Sequence, residues 1–195
     1  MGRGLAWLGA VLVGLALGAG SAWWALEAGG GAFTEHMGAW RWSRATGSID
    51  AGPYTRAIVA RDGLLALNAE EALYLTLDRD ENGRQLQEAC VYEISGGQIP
   101  ARWWSVTLYA HDNFLAQNED RAFSIDSTRV QPDENGRWSA RIAAARGEAP
   151  LWISSRAARR GFELVLRAYI PDESFPSDPN QLPSLRTLSC PDGAS

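Results

Sequence analysis

The chain has 195 residues, enough for one domain of ordinary size plus an appendage. Its formal net charge of -5 argues against a nucleic-acid partner, which favours a basic stripe. All 18 basic residues are arginine, which fits a composition bias, and the two histidines, His36 and His111, are too few for a multi-histidine metal site.

From Gly4 to Leu26 the chain carries no charge, a stretch long enough to exceed the roughly 20 residues a helix needs to cross a bilayer. Trp7 stands near one end and Trp23–Trp24 at the other, matching two interfacial belts. Arg3 before the segment and Glu27 after it favour a cytoplasmic N-terminus and an exported domain. The expected location is therefore the inner membrane, single-pass, with the C-terminal domain periplasmic. A signal peptide cut after Gly20-Ser21-Ala22 is the competing reading and exports the same domain. Ala6, Ala10, Gly14, Gly18 and Ala22 recur every four residues and form a small-residue stripe suited to pairing with a second copy, or arise by chance in an Ala/Gly-rich segment.

Residues 31–52 read as a linker after the anchor at 1–30, with Trp40 and Trp42 either at the membrane surface or capping the domain. Pro53 opens a predicted amphipathic helix to about residue 67, carrying Tyr54, Ile58, Arg61 and Leu65 at helical spacing. The period then changes to two. Ala72–Leu77, Cys90–Ile94, Trp103–Tyr109, Ala122–Asp126, Trp138–Ile142, Leu151–Ile153 and Phe162–Ile170 read as strands. Asn82-Gly83 and Asn135-Gly136 mark tight turns. Five prolines from Pro171 onward make 173–195 an extended tail. Short strands after one early helix predict a mainly β domain over 53–172, an antiparallel sandwich of jelly-roll type.

Three segments carry a resemblance. The run Ile99-Pro100-Ala101-Arg102-Trp103-Trp104-Ser105-Val106-Thr107-Leu108-Tyr109 resembles the core of the domain of unknown function 1214. Asn135-Gly136-Arg137-Trp138 is similar to its hairpin, and Phe162 to Pro171 to its closing strand. The resemblance spans about residues 50–172 and implies a jelly-roll-like fold without an established activity. Many relatives carry a second domain of unknown function, number 1254, where this chain has its apolar segment. Of a further family segment, Leu151-Trp152-Ile153-Ser154-Ser155 keeps only the tryptophan.

No nucleophile elbow, phosphate loop or metal-ligand spacing is present, so no catalytic residue, metal or cofactor is assigned. His111 with Asp112 could form a carboxylate-held base, or an ordinary turn. Arg167 and Tyr169 share one face of an apolar strand, where the guanidinium either closes a structural ion pair or binds an anionic ligand. Arg156, Arg159 and Arg160 form a basic loop that reads as a solvated turn or as a patch for acidic lipid or polymer. Trp103, Trp104, Trp138 and Trp152 could offer stacking faces to sugars, but alternation sends Trp103 and Trp104 to opposite faces and one into the core. Cys90 and Cys190 are the two cysteines and, in an oxidising compartment, are expected to pair. The expected function is a membrane-anchored envelope module that binds protein or glycan; the alternative is an enzyme or accessory subunit acting on an envelope substrate.

Overall fold

The computed structural model describes residues 2–28, 34–61, 67–159 and 161–191. Helix α1 (Gly2–Ala28) precedes strands β1 (Glu35–Met37) and β2 (Trp40–Trp42) and helix α2 (Pro53–Arg61). The remaining strands are β3 (Ala72–Leu77), β4 (Val91–Gly96), β5 (Ala101–Ala110), β6 (Ser124–Asp126) and β7 (Trp138–Ala143). They are followed by β8 (Trp152–Ser154), β9 (Phe162–Pro171) and β10 (Ser184–Ser189). A six-stranded sheet runs β1-β2-β3-β9-β5-β6, and a four-stranded sheet runs β10-β4-β7-β8. The domain is mainly β, as its sequence predicts.

Alternation along the strands builds the core. Leu73, Leu75 and Leu77 of β3, Trp104, Val106 and Leu108 of β5, and Leu164, Leu166 and Ala168 of β9 all turn to one side and are buried. They share one apolar cluster with Tyr92 and Ile94 of β4 and Trp138, Ala140 and Ile142 of β7, so the two sheets pack face to face. Trp104 stacks on Trp138 with ring centroids 4.9 Å apart, and Tyr92 meets Phe162 edge-on at 5.9 Å. Each fully buried leucine contributes on the order of 1.5–3 kcal/mol. Helix α1 contributes none of this: its residues from Ala6 to Leu26 form a segment long and apolar enough to cross a membrane, with no part of it buried.

The pairing differs from the sequence expectation in three places. The segment read as a linker supplies β1 and β2, and β2 pairs with β3 so that Trp40 and Trp42 enter the core. Burying two indoles outweighs the turn character of the surrounding glycines. The segment read as an extended tail is pinned at three points. Phe175 and Leu182 are buried, and β10 pairs antiparallel with β4. Sparse apolar anchors between prolines leave no periodicity to read. The pair β7 and β8 is parallel, because the loop 144–151 doubles back and restarts β8 beside Arg141. The described part of α2 stops at Arg61, and none of its described side chains is buried. The predicted stripe members Ile58, Arg61 and Leu65 lie outside the described side chains.

The two Asn-Gly turns share the pentapeptide Asp-Glu-Asn-Gly-Arg, and they fold alike. Asp80 Oδ1 accepts from Asn82 N–H and Arg84 N–H, and Asp133 Oδ1 accepts from Asn135 N–H and Arg137 N–H, all at 2.9 Å. Gly83 and Gly136 take φ values of 77° and 72°, the left-handed region that favours glycine. The short side-chain acceptor at the first position and the glycine at the fourth are enough to close the turn wherever the pentapeptide occurs.

Cys90 and Cys190 form a disulfide with Cα atoms 4.3 Å apart. It joins the residue before β4 to the residue after β10, and so closes a loop with a sequence separation of 100 residues. Replacing both cysteines by serine should destabilise the domain by about 2–5 kcal/mol. Chemical denaturation of the oxidised protein against the double variant measures this, and the intact protein, denatured without reductant, should titrate no free thiol.

Candidate binding face on the six-stranded sheet

The residues of β9 that point away from the core are Glu163, Val165, Arg167 and Tyr169. Register places each against outward residues of its neighbours. Arg167 lies directly between Tyr74 of β3 and Ser105 of β5, and Tyr169 lies between Ala72 and Trp103. Thr107 and Tyr109 continue the β5 row on the same face. Arg167, Tyr169, Trp103, Tyr74 and Tyr109 are half-buried, while Ser105 and Thr107 are buried. The outer face thus presents aromatic rings over a floor of hydroxyl groups.

The Arg167 guanidinium donates through Nη2 to the Tyr109 hydroxyl, reaches Thr107 Oγ1 at 3.5 Å through Nη1, and lies 5.2 Å from the Tyr109 ring centroid. Trp103 packs against Tyr169 with centroids 5.4 Å apart. The structural ion pair that the strand pattern suggests does not form among the described residues. The neighbouring carboxylate Glu163 has Arg41 within 3.7 Å instead, and Arg41 also bonds Asp78. Alternation explains this: the residues flanking Arg167 on both strands are Tyr74 and Ser105, neither of which carries charge. A half-buried guanidinium held by hydroxyl and π groups keeps its positive charge available to an incoming anion.

His111 and Asp112 stand elsewhere. They follow β5 at the far end of the sheet, where Ala110 pairs with Phe162, five residues from Arg167 along β9 or about 17 Å. Both are exposed, Asp112 Oδ1 accepts from the Phe114 N–H, and Asn113 takes a φ of 64°. Of the four candidate residues, Arg167 and Tyr169 thus lie on the outer face, and His111 and Asp112 lie in the turn that follows β5. The four tryptophans divide as well. Trp104 and Trp138 fill the core, Trp103 lies on the outer face, and Trp152 is half-buried with its indole N–H on Ala143 O. In the basic loop, Arg156 is tied to Asp120 at 3.0 Å. The Glu88 carboxylate accepts from the backbone N–H groups of Ala157 and Arg159.

A cleft of about 720 Å³, invisible to sequence reading, opens where the β1–β2 hairpin meets the C-terminal segment; His36, Arg41, Asp78, Arg79 and Pro183 line it. It could not be anticipated because neither bordering segment reads as an element. Its carboxylates are already engaged: Asp78 by Arg41, Asp80 by Arg84, and Glu81 by Thr187. Burial alone raises the pKa of the Asp80 carboxyl. The backbone and guanidinium hydrogen bonds of Arg84, with the Asn82 N–H, outweigh that burial and hold it below its ordinary value. Among the described residues no group of three or more His, Cys, Asp or Glu side chains stands close enough to hold a metal ion.

Two packed sheets, a disulfide-pinned C-terminal strand and an outer face of aromatic and hydroxyl groups define a small, mainly β domain. The family described as a protein of unknown function, DUF1214, matches residues 71–173, and the chain belongs to that family. The solved structure of the VPA0106 protein from Vibrio parahaemolyticus is 24% identical, with a TM-score of 0.57 over 72% of this chain and 36% of that one. An uncharacterised protein from Burkholderia cenocepacia is 15% identical, with a TM-score of 0.44 over 60% of this chain and 29% of that one. The chain thus spans little more than a third of the first structure and less than a third of the second, and the first shares its fold. No curated protein matches the chain.

The depressed Asp80 pKa fixes the sign of an acid effect. The unfolded carboxyl has the ordinary value of 3.8, so the stabilisation is complete above it and is lost as pH falls through the lower folded value. Asp80→Asn should therefore lower stability at neutral pH, by about 1–3 kcal/mol, and by less as pH falls below the ordinary value of 3.8. Urea denaturation of both proteins across that range tests it.

Proposed function

We propose that this domain is a non-enzymatic binding module of a bacterial cell envelope. In this reading α1 is retained as a membrane anchor and the outer face of the six-stranded sheet takes an acidic glycan. The observation that carries the reading is Arg167, a half-buried cation with hydroxyl and π partners but no carboxylate among the described residues, set in a row with Trp103 and Tyr169. A guanidinium selects a carboxylate or similar oxyanion, and flanking aromatic faces suit the apolar faces of sugar rings. An enzyme acting on the same polymer would need an acid or base beside that cation, whereas the partners of Arg167 are hydroxyl groups and an aromatic ring.

Binding of neutral and carboxylate-bearing cell-wall oligosaccharides to the full chain in non-ionic detergent, measured by calorimetry, tests the reading. Acidic members should bind, and Arg167→Gln should weaken them about tenfold, the loss expected for one charged hydrogen bond. Trp103→Ala should weaken both classes. Equal affinity in the Arg167 variant, or no binding by any oligosaccharide, would defeat the glycan reading. The anchor has its own check. Sequencing the mature N-terminus from membrane fractions should recover the residues of α1, whereas a start at Trp23 would mean that the segment is cleaved.

A further inference from the structure

The four-stranded sheet carries a second row of outward residues in direct register: Arg186 of β10, Glu93 of β4, Arg141 of β7 and Trp152 of β8. Two arginines here flank one carboxylate. Glu93 sides with Arg186, its Oε1 lying 3.0 Å from Arg186 Nη2. Arg141 is left over. It is half-buried, and among the described residues its guanidinium makes neither an ion pair nor a hydrogen bond. Its Nε is shut off from solvent and has no hydrogen-bond partner among the described residues, beneath the loop at Gly147. The guanidinium is only half-buried, so its remaining N–H groups, which meet no carboxylate, are open to an acceptor from outside.

Arg141 stands between two shallow pockets, and their charges differ. One, of about 410 Å³, is lined by Arg141 together with Glu93 and Glu148, so two carboxylates there face one guanidinium and disfavour an anion. The other, of about 470 Å³, is lined by Arg141, Arg159, Glu88, Cys90 and the alanines 143–145. Its single carboxylate, Glu88, accepts from Ala157 N–H at 3.0 Å and from Arg159 N–H at 2.6 Å. Ala157 and Arg159, with φ of 66° and 61°, turn those amides onto it. The Arg159 side chain is exposed. The second pocket therefore joins one orphaned and one solvent-facing guanidinium, with its acid already held by backbone amides.

We propose that Arg141 and Arg159 form a site for a phosphoryl group, as free phosphate or on a phospholipid headgroup. A phosphate oxygen set supplies the several acceptors that two guanidinium forks can share. This site lies on the opposite sheet from Arg167 and is independent of the glycan reading.

Calorimetric titration of the full chain with inorganic phosphate, in non-ionic detergent, tests it. One phosphate should bind per chain. Arg141→Met should weaken it about tenfold, Arg159→Met should weaken it less, and the exposed Arg102→Met should leave it unchanged. Arg141→Met should also melt at the same temperature or higher, since it removes an uncompensated donor. In lipid nanodiscs the source is resolved: phosphatidylglycerol that displaces added phosphate identifies a headgroup, and unaltered phosphate binding identifies the free ion. The proposal is overturned by the absence of saturable binding, by equal losses in the Arg141 and Arg102 variants, or by a lower melting temperature for Arg141→Met.

Discussion

Strand β9 is hydrogen-bonded along its length to β3 on one side and β5 on the other, and most of the domain follows from that arrangement. A central strand buries one face completely, so Leu164, Leu166 and Ala168 set where the second sheet packs. Because successive side chains oppose each other, the same constraint drives Arg167 and Tyr169 to the outer face. A slip of one residue in this register would put the guanidinium into the core and the leucines outside. The core and the candidate face are thus two consequences of one pairing.

The disulfide acts on a different scale. It ties β10, an edge strand of the smaller sheet, to the start of β4. With Phe175 and Leu182 it turns a proline-rich segment of little apolar content into part of the fold. The cleft beside the β1–β2 hairpin exists only because that segment is held there.

Arginine chemistry separates the two outer faces. Arg41, Arg84, Arg156 and Arg186 are each matched to a carboxylate. Arg167 is matched to hydroxyl groups and an aromatic ring, and the Arg141 guanidinium has no partner among the described residues. The exposed matched pairs contribute little individually to stability. Among the half-buried arginines described, these two lack a carboxylate, and a charge kept half-buried without a counter-charge is retained at a cost.

The amino-acid sequence by itself determined the apolar N-terminal helix, the long strands β3, β5 and β9 with their inward faces, the two Asp-Glu-Asn-Gly-Arg turns, and the family. These rest on local signals: an uncharged run, period-two alternation over six or more residues, and a side-chain acceptor followed by glycine. It also narrowed the cysteine pairing, since two cysteines leave one intramolecular partner. Tertiary structure alone decided that Trp40 and Trp42 belong to the core and that β10 exists. Strands of three residues, or strands between prolines, draw their stability from the neighbour they join, not from their own pattern. It alone decided the site as well. Sequence spacing placed Arg167 and Tyr169 on one face, but whether a carboxylate stood opposite Arg167 depended on the register with β3 and β5. The loneliness of Arg141 likewise depended on which arginine Glu93 chose, and that choice is made across strands distant in the chain.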